Sequence, residues 1–163
     1  SDDIYFTNNG TSYLQINKLS AGGGDNHTTF TGKSATARTG QGQCQFVLFE
    51  GATFDYGEVI ITDKGSGVKP MYFKMTGTDS DLSNRTYYAK EITVSGTTGP
   101  AIGVIHDKHL VVAGASTAKN TIFYSGTNDI DSFSSSGSGS IVISDAVVGL
   151  ASFRSDLIIF CVC

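Results

Sequence analysis

Two histidines on either side of a dipeptide could together bind a metal ion. His106 and His109 flank Asp107-Lys108, and this spacing predicts a hairpin with a two-residue turn. In such a hairpin the two histidines are cross-strand neighbours whose Cβ atoms lie about 5 Å apart. A zinc site needs a third protein ligand, and the sequence beside this pair offers no clear one. We therefore interpret the pair as turn residues in contact with solvent.

Two acidic segments could bind calcium. Asp79 and Asp81 stand in one, and Asp129 and Asp131 stand in the other. Both resemble the start of a calcium-binding loop, but neither has the glycine and the bidentate glutamate at the required offsets. Aspartate and asparagine also form ordinary turns, because their side chains hydrogen-bond to the nearby backbone. We predict no metal and no cofactor; the weak metal candidates are Asp79, Asp81, Asp129, Asp131, His106 and His109.

Catalytic motifs are not recognisable in the sequence. The segment T31-G-K-S34 looks like part of a phosphate-binding loop, but His27 stands where that loop needs its first glycine. No G-x-S-x-G motif and no Ser/His/Asp arrangement is recognisable, and glutamate is scarce. A hydrolase would need two positioned carboxylates, or a nucleophile with a base. We predict a protein without enzymatic activity.

The composition indicates an all-β protein of one domain. The chain has 163 residues, 39% of them hydrophobic, with 20 glycines and no tryptophan. Val, Ile, Thr, Tyr and Phe, which favour strands, supply most of its apolar character. The net charge is −4 without a cluster of Lys and Arg, so direct nucleic-acid binding is not expected. No apolar run is long enough to cross a bilayer.

Strand-like segments recur at a nearly constant interval. Runs of three apolar residues begin at Ile4, Val59, Leu110 and Leu157, which are 55, 51 and 47 residues apart. Each of the first three runs is followed by a second, a third and a fourth strand-like segment. In the first unit the third segment is unclear and falls around residues 27–33. The predicted strands are 4–8, 12–18, 45–50, 58–63, 70–75, 86–94, 101–106, 109–113, 120–125, 140–144, 147–153 and 156–162, with almost no helix.

Four strands in about 50 residues, repeated head to tail, are typical of a β-propeller blade. We therefore predict four-stranded propeller-like units over about 1–50, 51–100 and 101–148, with a final strand in 149–163. We expect the chain to be a segment of a larger propeller; the other possibility is that its last strand completes a sheet opened by the first strand. A β-sandwich whose strands recur at similar intervals is the alternative.

Three local expectations follow from this repeat. Ser134 to Ser140 should be exposed and mobile, or held by a neighbouring subunit, since a Ser/Gly run cannot bury apolar area. Phe133 should pack over Tyr124 or Phe123 and anchor the acidic loop. The continuous apolar runs 110–112 and 157–160 should be covered on both faces by neighbouring units.

The third unit resembles a pattern in structural proteins of tailed bacteriophages. In the β-propeller-bearing nozzle or tail tubular proteins and related tail-tip proteins, a strand reading roughly "rLfvaG" precedes "n.v.yS...dp..F". A Gly/Ser stretch and "i.gl..f.d.LivF" follow. Here Ile130 replaces the common proline and His109 the common arginine. The pattern is carried by Leu110, Gly114, Tyr124, Ser125, Asp129, Phe133, Leu157 and Phe160.

This resemblance implies a non-enzymatic virion component of the tail, assembled in the host cytoplasm. Its partners would be other virion subunits, and a homo-oligomer with cyclic symmetry is the general expectation for such parts. The alternative is a carbohydrate-binding β-domain for host-surface recognition, using exposed aromatics such as Tyr56, Tyr72 or Tyr87. A sialidase-type hydrolase is disfavoured, because Arg38, Arg85 and Arg154 are the only arginines.

Overall fold

The computed structural model describes eight ranges of the chain: 3–8, 14–19, 26–28, 43–49, 58–64, 69–76, 86–97 and 99–162. Within these ranges every regular element is a β-strand and no helix occurs. This confirms the all-β prediction. No helix in the described ranges is long and apolar enough to cross a membrane.

The strands fall close to the predicted positions, and each predicted strand overlaps an observed one. In chain order they are β1 (Asp3–Asn8), β2 (Leu14–Leu19), β3 (Asn26–Thr28), β4 (Gln43–Phe49), β5 (Glu58–Lys64), β6 (Met71–Thr76), β7 (Thr86–Glu91), β8 (Ile102–His106), β9 (His109–Ala113), β10 (Thr121–Tyr124), β11 (Gly139–Val142), β12 (Val147–Phe153) and β13 (Asp156–Cys161). The short β3 falls where the sequence pattern is least clear.

The strands form antiparallel sheets in which chain neighbours pair with each other. The strand orders are β1-β2-β3, β4-β5-β6-β7, β11-β10-β9-β8 and β12-β13. Consecutive antiparallel pairing needs only short connections, which fits the turn-rich sequence. The four-stranded sheet of β4 to β7 begins with a strand that lies before residue 51, the predicted start of the second unit.

Two hairpins have the predicted two-residue turns. His106 pairs with His109 across Asp107 and Lys108, whose φ angles are 45° and 65°. Positive φ at both central residues is the mark of a type I′ turn, whose twist matches that of the flanking strands. Phe153 pairs with Asp156 in the second hairpin, where Arg154 has a φ of 55°. The prediction of both hairpins is confirmed.

The β8–β11 sheet has a hydrophobic cluster on each of its faces. We call the first the β4-side cluster, because it joins residues of β4 and β6 and the segment after β7 to β9, β10 and the loop after β10. Its buried members are Val47, Tyr72, Ile92, Val94, Leu110, Val112, Phe123, Ile130 and Phe133. The β12-side cluster joins the opposite face to β12. Its buried members are Ile102, Val111, Ala113, Ile122, Val147 and Leu150, with Leu157 and Ile159 of β13 packed against them.

Strand β9 is covered on both faces. Leu110 and Val112 lie in the β4-side cluster, while Val111 lies in the β12-side cluster. All three are at most 4% exposed, as alternation along a strand between two sheets requires. The prediction for the run 110–112 is confirmed.

Strand β13 departs from the same prediction. Leu157 and Ile159 pack against the β12-side cluster, but Ile158 is 40% exposed and Phe160 is 52% exposed. The prediction that the run 157–160 is covered on both faces is therefore wrong for this structure. The physical reason is that only one face of the β12-β13 sheet packs against another described sheet.

Candidate functional site

Two residues of the quoted pattern, Leu110 and Ser125, bond to each other where β10 ends. Ser125 is completely buried. Its hydroxyl accepts a hydrogen bond from the Leu110 backbone N–H at 2.9 Å and donates to the Gly126 carbonyl at 3.0 Å. Its own N–H donates to the Leu110 carbonyl at 2.9 Å. The side chain thus takes the place of a backbone acceptor where the chain leaves the sheet.

Because the Leu110 N–H donates to the Ser125 hydroxyl and not to the Ser125 carbonyl, the carbonyl oxygen can bond to a histidine. His109 Nδ1 lies 2.5 Å from that carbonyl oxygen, and its Nε2 lies 3.2 Å from Thr127 Oγ1. A carbonyl can only accept, so Nδ1 carries the proton and Nε2 can accept from the Thr127 hydroxyl. The ring also meets Tyr124 edge-on, with centroids 5.9 Å apart. His109 therefore fastens the loop after β10 to the start of β9.

The acidic segment is a compact pair of turns anchored by apolar side chains. Asp129 N–H donates to the Gly126 carbonyl at 3.2 Å, and Gly126 N–H donates to the Ser132 carbonyl at 2.9 Å. Ile130 and Phe133 are 3% and 9% exposed. Both lie in the β4-side cluster. These contacts close the loop on itself and hold its polar tip outward.

Phe133 packs in the cluster that contains Phe123, whereas Tyr124 packs against the opposite one. Of the two predicted partners, Phe123 therefore shares a cluster with Phe133. The reason is alternation along β10, because adjacent residues of a strand point to opposite faces of the sheet.

The Ser/Gly run is only partly exposed. Ser134, Ser136, Gly137 and Ser140 are exposed, whereas Ser135, Ser138 and Gly139 are half-buried. Ser138 donates to the Ser135 carbonyl through its N–H at 3.1 Å and through its hydroxyl at 2.6 Å. The run is thus a folded turn, and the prediction of exposure holds for four of its seven positions.

Two glycines make room for side chains that pack against them. Gly139 pairs with Tyr124 across the β10–β11 ladder, and a Cβ atom on Gly139 would lie 2.7 Å from Tyr124 Cζ. The tyrosine ring therefore covers the glycine, an arrangement known to support strand glycines. A Cβ atom on Gly126 would collide with the Ser135 hydroxyl oxygen. The small residues in this segment thus have a packing role.

The predicted histidine pair is brought together as cross-strand partners, but the two side chains bond to different elements. His106 Nδ1 lies 2.9 Å from Ser152 Oγ on β12, while His109 bonds to the loop after β10. Asp129 is exposed and Asp131 is half-buried; Asp79 and Asp81 lie outside the described residues. In the part of the chain that the structure describes, no three His, Cys, Asp or Glu side chains are grouped to hold a metal ion.

The contact between Ser152 and His106 has the atoms of a nucleophile and a base. Catalysis would also require a third group that orients the imidazole and donors for a developing oxyanion. Ser152 is exposed, and the described contacts of His106 include no carboxylate. The contact joins β8 to β12, so its evident role is to connect neighbouring sheets.

Other contacts between sheets had no signal in the sequence. Gln45 Oε1 accepts a hydrogen bond at 3.0 Å from the Gly103 N–H, which joins β4 to β8. A lone glutamine in a strand looks like any exposed polar residue. Its partner is 58 positions away in the sequence. By contrast, the Ser at position 125 belongs to the "yS" of the quoted pattern, although its hydrogen bonds could not be read from it.

Comparison with protein-family models, with curated proteins and with solved structures finds no match.

Proposed function

We propose that this protein is a non-enzymatic structural component of a phage virion, belonging to the tail (nozzle or tail-tip), and that it acts through protein-protein assembly. Its sheets would be successive blades of a larger β-propeller. The partners would be other virion subunits, and further copies of the chain would be related by cyclic symmetry.

The observation that carries the proposal is that two successive sheets repeat one pattern of faces. Hairpins β8–β9 and β12–β13 both have two-residue turns, with positive φ at both central residues in the first and at Arg154 in the second. Leu110, the second residue of β9, packs toward the sheet before its own. Leu157, the second residue of β13, does the same. Stacked antiparallel sheets in chain order, each using equivalent residues against the sheet before it, are what propeller blades require.

Several residues of the phage-like pattern have structural contacts in this fold. Leu110 and Phe133 are core residues, Ser125 fastens a loop, and Tyr124 covers Gly139. Such roles support a mechanical function, because the pattern preserves packing and hydrogen bonding rather than a group of reactive side chains.

The glycan-binding alternative loses one of its aromatic residues. Tyr72 is 7% exposed and lies in the β4-side cluster, so the expectation that it is exposed is wrong. Its strand is covered by the neighbouring sheet. Tyr56 lies outside the described residues, and Tyr87 lies in β7 with its side chain not described. Of the arginines, Arg154 lies over the Phe153 ring, 5.3 Å from its centroid, and so serves a hairpin turn.

The experiment is mass spectrometry of gradient-purified particles from a culture that carries the gene. Trypsin should release HLVVAGASTAK, residues 109–119, and this peptide should co-sediment with tail proteins through two successive gradients. A control peptide from an abundant host protein should be depleted at each step. Absence of the chain from particles would overturn the proposal. Binding of the purified protein to a glycan array, abolished without loss of folding by substituting an exposed tyrosine, would favour the alternative.

A further inference from the structure

The last sheet is narrower than the two sheets before it. Strand β5 pairs with β4 and β6, and β9 pairs with β8 and β10. Strand β13 stands at the same place in its sheet, but among the described residues it pairs with β12 alone. Its other edge therefore presents backbone N–H and C=O groups, which is the template for adding a strand.

The sheet beside it also has an uncovered apolar position. Ile122 of β10 and Ile141 of β11 are register partners and so share a face. Ile122 is 1% exposed and lies in the β12-side cluster, whereas Ile141 is 51% exposed. Strand β12 lies over β8 and β9, so two more strands beyond β13 would continue across β10 and β11. They would cover Ile141.

The face of β13 that points away from the β8–β11 sheet is also uncovered. With Leu157 equivalent to Leu110, Ile158 corresponds to Val111 and Phe160 to Ala113. Val111 and Ala113 are 4% and 0% exposed, because β12 and β13 cover them, whereas Ile158 and Phe160 are 40% and 52% exposed. Ile158 and Phe160 are therefore apolar residues at positions whose equivalents in the β8–β11 sheet are buried against the β12-β13 sheet.

We propose that the open edge of β13 binds a β-hairpin of the same repeat, and that this hairpin completes a four-stranded sheet. The hairpin would add as β10–β11 adds to β9, with the residue equivalent to Phe123 on the face toward Ile141. It continues an interface that the structure already contains, the β12-side cluster. The proposal deepens the proposed function, since the hairpin would belong to the same stack of sheets, but it rests on the geometry of β8 to β13.

The test supplies the hairpin from the protein's own sequence. Under the equivalence of Leu157 with Leu110, Cys163 corresponds to Ser116, so a copy of residues 117–144 is appended after Cys163. The matched control carries the same extension with Ile122→Asp and Phe123→Asp in the appended copy only. Both proteins are compared with the unextended chain by thermal unfolding and by hydrogen exchange of the β13 amides.

The extended protein should melt at least about 4 °C higher than the unextended chain, and its β13 amides should exchange at least about tenfold more slowly. The control should show neither change. Equal melting temperatures and equal exchange for all three proteins would overturn the proposal.

If the extended protein does not fold, a second measurement still tests the proposal. The synthetic peptide 117–144 is titrated into the unextended chain, and slowed exchange confined to β13 and β11 is expected. No change at saturating peptide would overturn the proposal. So would an unextended chain that forms a dimer with its β13 amides already protected, because a second copy would then occupy the edge. None of these outcomes bears on the particle experiment, which tests the proposed function separately.

Discussion

Replacing Ser125 by alanine removes the hydroxyl that holds the end of β10 to β9. The variant keeps the backbone and the size of the side chain nearly unchanged. It takes away the acceptor of the Leu110 N–H and the donor to the Gly126 carbonyl. Because Ser125 is completely buried, water does not readily replace the lost hydroxyl.

The expected cost follows from these two hydrogen bonds. Each contributes about 0.5–1.5 kcal/mol net, and a buried N–H left without an acceptor costs about 1–3 kcal/mol. We therefore expect Ser125→Ala to lower the free energy of unfolding by about 2–4 kcal/mol. For a chain of this size the melting temperature should fall by about 5–15 °C.

Urea denaturation followed by far-ultraviolet circular dichroism measures this change. Ser136→Ala is the matched control, since Ser136 is an exposed serine of the Ser/Gly run; its midpoint should equal that of the parent protein. The reasoning is refuted if Ser125→Ala is as stable as Ser136→Ala. If the Leu110 N–H bonds instead to the Ser125 carbonyl, His109 Nδ1 must share that oxygen, and the ring nitrogen chemical shifts of His109 would reveal the change.

Three further predictions concern the core, the turn and the acidic loop. Leu110→Ala should cost about 2–5 kcal/mol by leaving a cavity, and Leu157→Ala should cost less because Leu157 is only half-buried; urea midpoints of both variants decide the order. Gly126→Ala should be destabilised by the collision of its new Cβ with the Ser135 hydroxyl. The double variant with Ser135→Gly should recover only part of the loss, because the Ser136 carbonyl oxygen at 3.2 Å and the Asp129 Cβ at 3.3 Å remain; no recovery at all would contradict the Ser135 collision. Asp129→Ala should leave the melting temperature within about 2 °C of the parent, because Asp129 is exposed, and millimolar calcium should shift neither protein. A calcium shift that Asp129→Ala abolishes would contradict the structural interpretation of this loop.

Strand positions and hairpin turns could be predicted because their signals are local. Alternating or continuous apolar runs between Gly- and Asp-containing turns define strands within a few residues. The turn Asp107-Lys108 could be located because two strands separated by two residues are typical of a tight hairpin, with a turn of type I′ or II′. The grouping of β4 with β5 could not be read in the same way, since the connection between them is longer.

The contacts around Ser125 were only partly predictable. The quoted pattern marks Ser125, Tyr124 and Phe133 as recurring positions, but a pattern does not say which atom bonds to which. The hydroxyl of Ser125 could have faced solvent, as the hydroxyl of Ser136 does. Its burial depends on Leu110, which reaches it only when β9 and β10 pair.

The sequence by itself determined the all-β class, the order of the strands and the two tight hairpins, because strand propensity and turn chemistry act over a few neighbouring residues. Only the tertiary structure decided which faces are buried. The runs 110–112 and 157–160 look alike as sequence, and both are continuous and apolar. One lies between two sheets and the other has a single neighbour, so Val111 is buried while Ile158 is exposed. Burial depends on what packs against a strand, and residues distant in the chain supply that.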